Sequence, residues 1–332
     1  MMAAQAQGRT ERRRVLAREL TAALAPFDVE VDRLARPPAG LARATFLVGA
    51  ANARVVVKLA PREAGAELAE RLRVLRALEP RDLLVQRPLT DEPFALSAGV
   101  GWAYRFLPGR TARACTVGGR REAFGALVGR LDAALARVEP AAAPSAPVPS
   151  ADLDAIAALP DRLRDTDACG CADAVAGAAD AAAQRLACAD LDACRRQYLH
   201  RDLNDGNVLF DAPSGRAAAI DFDTLAVDLL PREVAVPVGI ALARRDGGAD
   251  LRRAGAVLQG YLAEMPLREE ERRAIPALSL VHWLEGVVFL CSEPWPNVPA
   301  DRLARYRDKA LLRMGVVDAA LPALERACVE AH

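Results

Sequence analysis

Residues 198–210 read YLHRDLNDGNVLF. The stretch gathers a His, an Arg, two Asp and two Asn on a turn-rich segment and then runs into apolar residues, in a chain that has only 3 histidines. Asp, Asn and Gly are turn formers, and an ordinary loop entering a buried strand uses the same letters. The residues downstream separate the two readings. Beyond NVLF the chain turns at DAPSGR (211–216) and returns as AAAIDFDT (217–224), a β-hairpin that brings Asp221 back near Asn207. A loop that only joins strands has no need of an acid and an amide at opposite ends of one hairpin. A divalent cation does, because Mg²⁺ takes hard oxygen ligands, one or two from protein and the rest from phosphates and water. Asp221 and Asn207 offer such oxygens, and Asp202 is placed to face a substrate hydroxyl.

Upstream, Lys58 stands out. Of the 44 basic residues only Lys58 and Lys309 are lysine. Lys309 sits in a charged helical stretch, RLARYRDKALL (302–312), and reads as solvated surface. Lys58 lies in ARVVVKLA (53–60), a β-branched run that reads as a strand. A compact ammonium at the end of a buried strand reaches a phosphate where a guanidinium is too wide. The other reading is an edge-strand Lys that discourages aggregation. FDVEVDRLA (27–35), ARATFLV (42–48) and ARVVVK (53–58), joined by turn chemistry at RPPAGL and GAAN, read as an antiparallel meander. EAGAELAERLRVLRALE (63–79) then reads as a helix with Leu68, Leu72 and Leu75 as its apolar stripe. Glu67, on the flank of that stripe, either faces Lys58 or forms an i,i+4 pair with Arg71; Glu63 and Glu70 are the alternatives. GWAYRFLPGR (101–110) is an aromatic strand closed by Pro108–Gly109.

In this context, His200-x-Asp202-x4-Asn207 followed by Ile220-Asp221-Phe222-Asp223 resembles the aminoglycoside phosphotransferase, homoserine kinase and choline kinase group of small-molecule kinases. The resemblance covers most of the chain. It implies an α+β, protein-kinase-like two-lobed fold. An N-terminal nucleotide-binding lobe of antiparallel sheet plus helix occupies 1–107, with a hinge at about 105–109. A mainly helical catalytic and acceptor-binding lobe occupies 108–332. The resemblance further implies that Lys58 contacts the α/β-phosphates and is held by Glu67. The phosphate-covering loop falls in PPAGLARATF (37–46), where Gly40 is the one glycine and Arg43 stands where many relatives have Asn. Backbone groups of Arg105, Phe106 and Leu107 would hold the nucleotide base. FGALVGRLDAALARVEP (124–140) resembles the helix after the hinge, with Asp132 where many members carry His. Asp202 would orient the acceptor hydroxyl and take its proton. Asn207 and Asp221 would bind Mg²⁺, Asp223 assisting, and His200 would tie the loop to the metal-bearing hairpin. ATP is the implied nucleotide, with GTP as the alternative. The family's acceptor sites are lined by helices after the metal Asp, which makes Glu233, His282, Trp283, Glu285, Glu293 and Trp295 the candidates. For Trp283 and Glu285 the competing reading is a core Trp beside a surface acid.

Composition bounds the rest. The chain has 332 residues, 52% hydrophobic, with 44 basic against 44 acidic side chains and a mean hydropathy of +0.06. A neutral balance gives no nucleic-acid footprint and no polybasic membrane anchor. The N-terminal stretch carries Arg and Glu every few residues, so a first amphipathic helix is expected rather than a signal peptide, and the cytoplasm rather than an exported location. LSLVHWLEGVVFL (278–290) is too short to span a bilayer and is broken by His282 and Glu285. Disulfides are not expected among the 7 cysteines. Cys169, Cys171, Cys188 and Cys194 match no common zinc spacing. Helices are expected at 151–164, 172–197, 232–245, 250–264, 268–291 and 301–313.

A protein kinase is disfavoured. Asn204 stands where its loop usually has Lys, and the metal motif reads Asp-Phe-Asp rather than Asp-Phe-Gly. Pro231-Arg232-Glu233 follows too closely to leave a peptide-docking loop. A non-catalytic relative would have lost Asp202, Asn207 or Asp221. The expectation is therefore an ATP-dependent O-phosphotransferase, monomer or homodimer, acting on a small hydroxylated acceptor. An antibiotic or related biosynthetic intermediate is the first choice. A homoserine-, choline- or thioribose-like metabolite is the second.

Overall fold

The structure is a computed structural model that describes residues 2–331 except 30, 32, 36–43, 50–53, 79–82, 113–119, 141–152, 165–169, 211–216, 293–294 and 296–297. The chain forms two compact units, Met1–Leu78 with Val85–Pro108, and Glu79–Leu84 with Gly109–His332.

The first unit holds helix α1 (Met2–Leu24), β1 (Arg33–Ala35), β2 (Ala44–Gly49), β3 (Arg54–Ala60), α2 (Gly65–Ala77), β5 (Phe94–Leu96) and β6 (Gly99–Arg105); the two-residue β4 (Leu84–Val85) falls where the chain passes from one unit to the other. Five strands form one antiparallel sheet in the order β1-β2-β3-β6-β5. The β-branched run of β3 lies at its centre, where side chains alternate between two faces. Val55 and Val57 enter a core with Leu20, Leu24, Val29, Val48, Leu96 and Ala103, so α1 covers that face. Val56, Lys58 and Ala60 point to the other face, in register with Tyr104, Trp102 and Val100 of β6. Glu19 fastens α1 by accepting the Ser97 N–H at 3.0 Å and its hydroxyl at 3.1 Å.

The meander begins later than its composition suggests. Residues 25–27 form a 3-10 turn with Pro26 near its start, and Asp28 follows in the left-handed region at φ 57°. Proline fixes its own φ, and Asp tolerates the left-handed conformation better than most residues. The first strand therefore starts at Arg33.

The second unit holds β7 (Arg110–Thr111), α3 (Arg120–Leu135), α4 (Leu153–Ala157), α5 (Leu159–Arg164), α6 (Ala172–Ala187), β8 (Arg196–Leu199), β9 (Val208–Phe210), β10 (Ala218–Ala219), β11 (Ala226–Leu229), α7 (Leu230–Leu242), α8 (Leu251–Leu262), α9 (Glu269–Ser292) and α10 (Ala300–Glu330). Every residue of α7 is buried. A Cβ on Gly125 would lie 1.9 Å from the Val257 carbonyl oxygen, and one on Gly260 2.0 Å from that of Glu122. Glycine alone lets α3 and α8 approach backbone to backbone there. Helix α9 is long and apolar enough by composition to cross a membrane, but 72% of its apolar window is buried inside the fold, which uses it as a core helix.

Three helix expectations change. The stretch 172–197 is helical only to Ala187; Asp190 then caps a 3-10 turn by accepting the Ala193 N–H, and the chain enters β8. Helix 151–164 is two pieces, α4 and α5. Helix α10 runs on past 313 because its buried stripe continues through Met314, Val317, Leu321, Leu324 and Cys328. Cys171 is disulfide-bonded, against the expectation that no disulfide forms, whereas Cys188, Cys194, Cys291 and Cys328 are not in disulfides.

Candidate active site

The polar loop grows out of a short antiparallel pair. Strands β8 and β11 pair Leu199 with Ala226 and Arg196 with Leu229, so the chain leaves β8 at His200 beside the segment that returns from Asp221. His200 is fully buried and bridges the two. Its Nε2 donates to the Ile220 carbonyl at 2.9 Å, its Nδ1 accepts the Asp202 N–H at 3.3 Å, and its own carbonyl accepts the Thr224 hydroxyl at 2.7 Å. These partners fix the neutral Nε2–H tautomer. The ring packs on Phe222 at 4.5 Å between centroids.

Asp202 is held by two amides. Asn204 Nδ2 donates to its Oδ1 at 2.7 Å, and Asn207 Nδ2 donates to its Oδ2 at 2.9 Å and to its backbone carbonyl at 2.8 Å. Asn204 Oδ1 in turn accepts the Gly206 N–H at 2.7 Å, an Asx-type turn that shapes the loop. Arg121 of α3 clamps Asp205 through two bonds of 2.7 and 3.1 Å. Burial raises the Asp202 carboxyl to about 6, with the negative charges of Asp221 and Asp223 pushing the same way and the Asn204 and Asn207 amides opposing. Asp202 is thus mostly ionised at neutral pH yet basic enough to accept a proton. The hairpin closes where the Ile220 N–H donates to the Asn207 carbonyl at 2.9 Å. Asp221 follows in the left-handed region at φ 69°.

The donor chemistry here fits a magnesium ion. Asn207 has spent its amide nitrogen on Asp202, which leaves Oδ1 as its ligating atom, and Asp221 and Asp223 add carboxylates. Among the described residues no three His, Cys, Asp or Glu side chains form a self-sufficient metal cluster.

Beneath the loop lies a charged network with no counterpart in the sequence reading. Arg201, at φ 68°, contacts Asp228 at 3.0 Å; Arg232 contacts Asp228 at 3.4 Å and Glu285 at 2.7 Å. Fully buried Asp132 accepts the Tyr261 hydroxyl at 2.7 Å, and burial raises its carboxyl well above the usual range. The Asn204 bond and the Asp228 pairs were missed. Only the position of Asn204 inside the polar motif carried a signal for the first.

Other predicted residues fall differently. Lys58 is 4% exposed and its Nζ lies 5.9 Å from the Tyr104 ring centroid, a buried ammonium on the sheet face opposite α1. Glu67 takes the other pairing that the sequence allows. The Glu67 side chain is 60% exposed and pairs with Arg71, whose guanidinium is buried and needs that counter-charge. The Arg105 and Phe106 N–H groups are spent on the Arg87 and Arg54 carbonyls at 3.0 and 3.1 Å. The side chains of both line a 420 Å³ cavity on the α1 side. Among the described residues the Leu107 N–H has no backbone hydrogen bond. Gly40 and Glu293 lie outside the described residues.

Among the proposed acceptor residues, Glu233 cannot line a site. It is fully buried, and its Oε2 accepts the Arg201 N–H at 2.8 Å. Trp283 is likewise buried, with Arg313 stacked 5.2 Å from its ring. Burial and Arg232 lower the His282 imidazole to about 4, which keeps it neutral. Glu285 does line a cavity.

A helix-rich unit carrying a buried base, an amide oxygen and two carboxylates on one hairpin defines a phosphoryl-transfer scaffold of kinase type. Residues 33–275 match the phosphotransferase enzyme family, and the chain belongs to it. A homoserine kinase of Gluconacetobacter diazotrophicus is 33% identical over 117 residues, 34% of this chain and 35% of that protein. One from Xanthobacter autotrophicus is 32% identical over 143 residues, 42% of this chain and 44% of that protein. The chain thus spans less than half the length of these curated relatives. Among solved structures, a microcompartment-associated aminopropanol kinase superposes with a TM-score of 0.67 at 16% identity, covering 92% of this chain and 98% of that one. A choline kinase from Streptococcus pneumoniae superposes at 0.63 and 14% identity, covering 92% and 99%. Both share the protein-kinase-like fold.

Proposed function

We propose that the protein is a Mg·ATP-dependent kinase that phosphorylates a hydroxyl group of a small metabolite in the cytoplasm. The observation that supports this best is the Asp202 carboxylate, aimed by two Asn amides beside Asp221 and Asp223. In this reading the acceptor oxygen attacks the γ-phosphorus while Asp202 orients the hydroxyl and takes its proton. Asn207 Oδ1 and the Asp221 carboxylate, with Asp223 assisting, would hold the cation, which would supply counter-charge to the phosphates. Lys58 contacts the α/β-phosphates, and the Leu107 N–H serves the base.

The homoserine kinase relatives favour a metabolite over the antibiotic that stood first in the sequence reading. The test is phosphate transfer from Mg·ATP, followed by ADP release and phosphorus NMR, across a panel of small hydroxylated metabolites and antibiotics. ADP release that no acceptor stimulates would overturn the assignment.

A further inference from the structure

Two acids are sealed in the core of the C-terminal unit with no cation on either. Asp132 of α3 and Glu233 of α7 are both fully buried, and α3 packs on α7 and on β8. Gln197 of β8 donates to the Asp132 backbone carbonyl at 2.8 Å, which sets this turn of α3 behind the strand that leads to the catalytic loop. Asp132 Oδ2 accepts the Tyr261 hydroxyl at 2.7 Å, and Glu233 Oε2 accepts the Arg201 N–H at 2.8 Å. The other oxygen of each, Asp132 Oδ1 and Glu233 Oε1, is buried with no hydrogen-bond partner. The nearby guanidiniums are committed elsewhere: Arg201 and Arg232 contact Asp228, and Arg195 pairs with Glu271.

Two carboxylates cannot both be ionised there. Each would be an unpaired charge taken out of water, and the neighbouring like charge raises the cost further. Glu233 is the strongest charge acting on Asp132. One proton removes both difficulties, because a carboxylic acid donates where a carboxylate accepts.

We propose that Asp132 and Glu233 share one proton as a buried acid–carboxylate pair, bonded through Oδ1 and Oε1, and that Asp132 is thereby a positioning residue for the catalytic loop. The bond turns the Glu233 carboxyl so that Oε2 stays on the Arg201 N–H, and Arg201 precedes Asp202. The pair itself stands apart from the kinase reading; its effect on turnover rests on that reading. Loss of the proton sets two negative charges side by side and loosens this anchor, and it follows as pH rises through about 8. The groups that face the pair do not change charge in that window. Asp202 on the loop titrates at about 6, and burial holds the Tyr261 hydroxyl of α8 above its ordinary 10. Asp228 of β11 is ion-paired, and Arg195, Arg201 and Arg232 keep their charge.

Asn is the diagnostic substitution at 132. Its oxygen accepts the Tyr261 hydroxyl and its amide donates to Glu233 Oε1, so the bond remains and no proton is needed. Infrared spectroscopy of the full chain at neutral pH should show a buried protonated carboxyl in the wild type, and this band should vanish in Asp132→Asn and in Glu233→Gln. Urea unfolding should find the wild type losing stability through about pH 8 and Asp132→Asn not. In phosphoryl transfer, Asp132→Ala leaves Glu233 Oε1 without a donor, and kcat should fall about 10- to 100-fold with the KM for ATP little changed. Asp132→Asn should rescue most of that loss and should lack the alkaline fall in kcat that the wild type shows. Where Asp132→Ala does not fold, the infrared band and the Asn variant decide. No protonated carboxyl in the wild type, a band that survives in either variant, or coincident pH profiles for wild type and Asp132→Asn would overturn the inference. A wild-type chain that shows the band and the pH-dependent unfolding but transfers no phosphate upholds the pair and fells the kinase reading instead.

Discussion

The Glu233 carboxylate accepts the backbone N–H of Arg201 at 2.8 Å. This bond spans from the central helix α7 to the residue that precedes Asp202, and it holds Arg201 in a left-handed conformation that non-glycine residues adopt reluctantly. Glu233 is therefore a positioning residue for the loop. Burial is the largest influence on its carboxyl, which rises to about 8 from an ordinary 4.5; the Arg201 N–H and the Arg232 charge oppose the rise.

That shift has a sign in stability. The folded chain holds a proton on Glu233 that the unfolded chain has released above about pH 4.5. The stabilisation is full below that pH and is lost as pH rises through about 8. Glu233→Gln keeps the shape and an acceptor oxygen but cannot titrate. Urea unfolding across this window should show the wild type losing stability relative to the variant as pH increases. Parallel curves would refute the assignment.

Lys58 sits on a buried sheet face in register with Trp102. Lys58→Ala should weaken ATP binding at least tenfold, about 1.4 kcal/mol, while the protein stays folded. Lys58→Arg should not restore it, because a planar guanidinium does not reproduce a compact ammonium between aromatic neighbours. Calorimetric titration with ATP decides, and wild-type affinity in either variant removes Lys58 from the site.

Asp221 is assigned the main counter-charge to the phosphates. Asp221→Ala should abolish phosphoryl transfer, because the transferred group then lacks that charge. Chelator in excess over magnesium should do the same to the wild type. Turnover that survives either treatment is incompatible with the mechanism.

The loop and its hairpin were legible because their polar residues had no simpler use at that spacing, and β3 because a β-branched run has few alternatives. Glu67 was misread for a reason that local pattern cannot reveal. Whether it serves Lys58 or Arg71 depends on which cation is left without a counter-charge, and the buried Arg71 guanidinium claims it. Glu233 was misread similarly. A carboxylate on an apolar helix looks like a ligand for substrate, and nothing nearby shows that it faces a backbone N–H 32 residues earlier. Strand β8 was absorbed into a helix because four residues after an Ala-rich run carry too little period to count. The disulfide at Cys171 depends on geometry that spacing does not encode.

Asp202 separates an enzyme from a nucleotide-binding protein on the same scaffold. Its two oxygens are already aimed by Asn204 and Asn207, so the carboxylate costs no reorganisation when a hydroxyl arrives. Asp202→Asn keeps volume and polarity but removes the basic group. A positioned general base typically contributes ~10²–10⁴-fold, and kcat should fall by that order while ATP affinity changes little. If Asp202 were only a turn residue, Asn would serve the turn equally well and kcat would stay near the wild-type value. The measurement needs a true acceptor. Phosphorylation of the best hydroxylated substrate at saturating Mg·ATP gives kcat, and a parallel ATP titration gives affinity. A variant that turns over at the wild-type rate would show that the hydroxyl proton goes elsewhere; one that loses ATP binding and rate together would place Asp202 among the nucleotide or metal contacts instead.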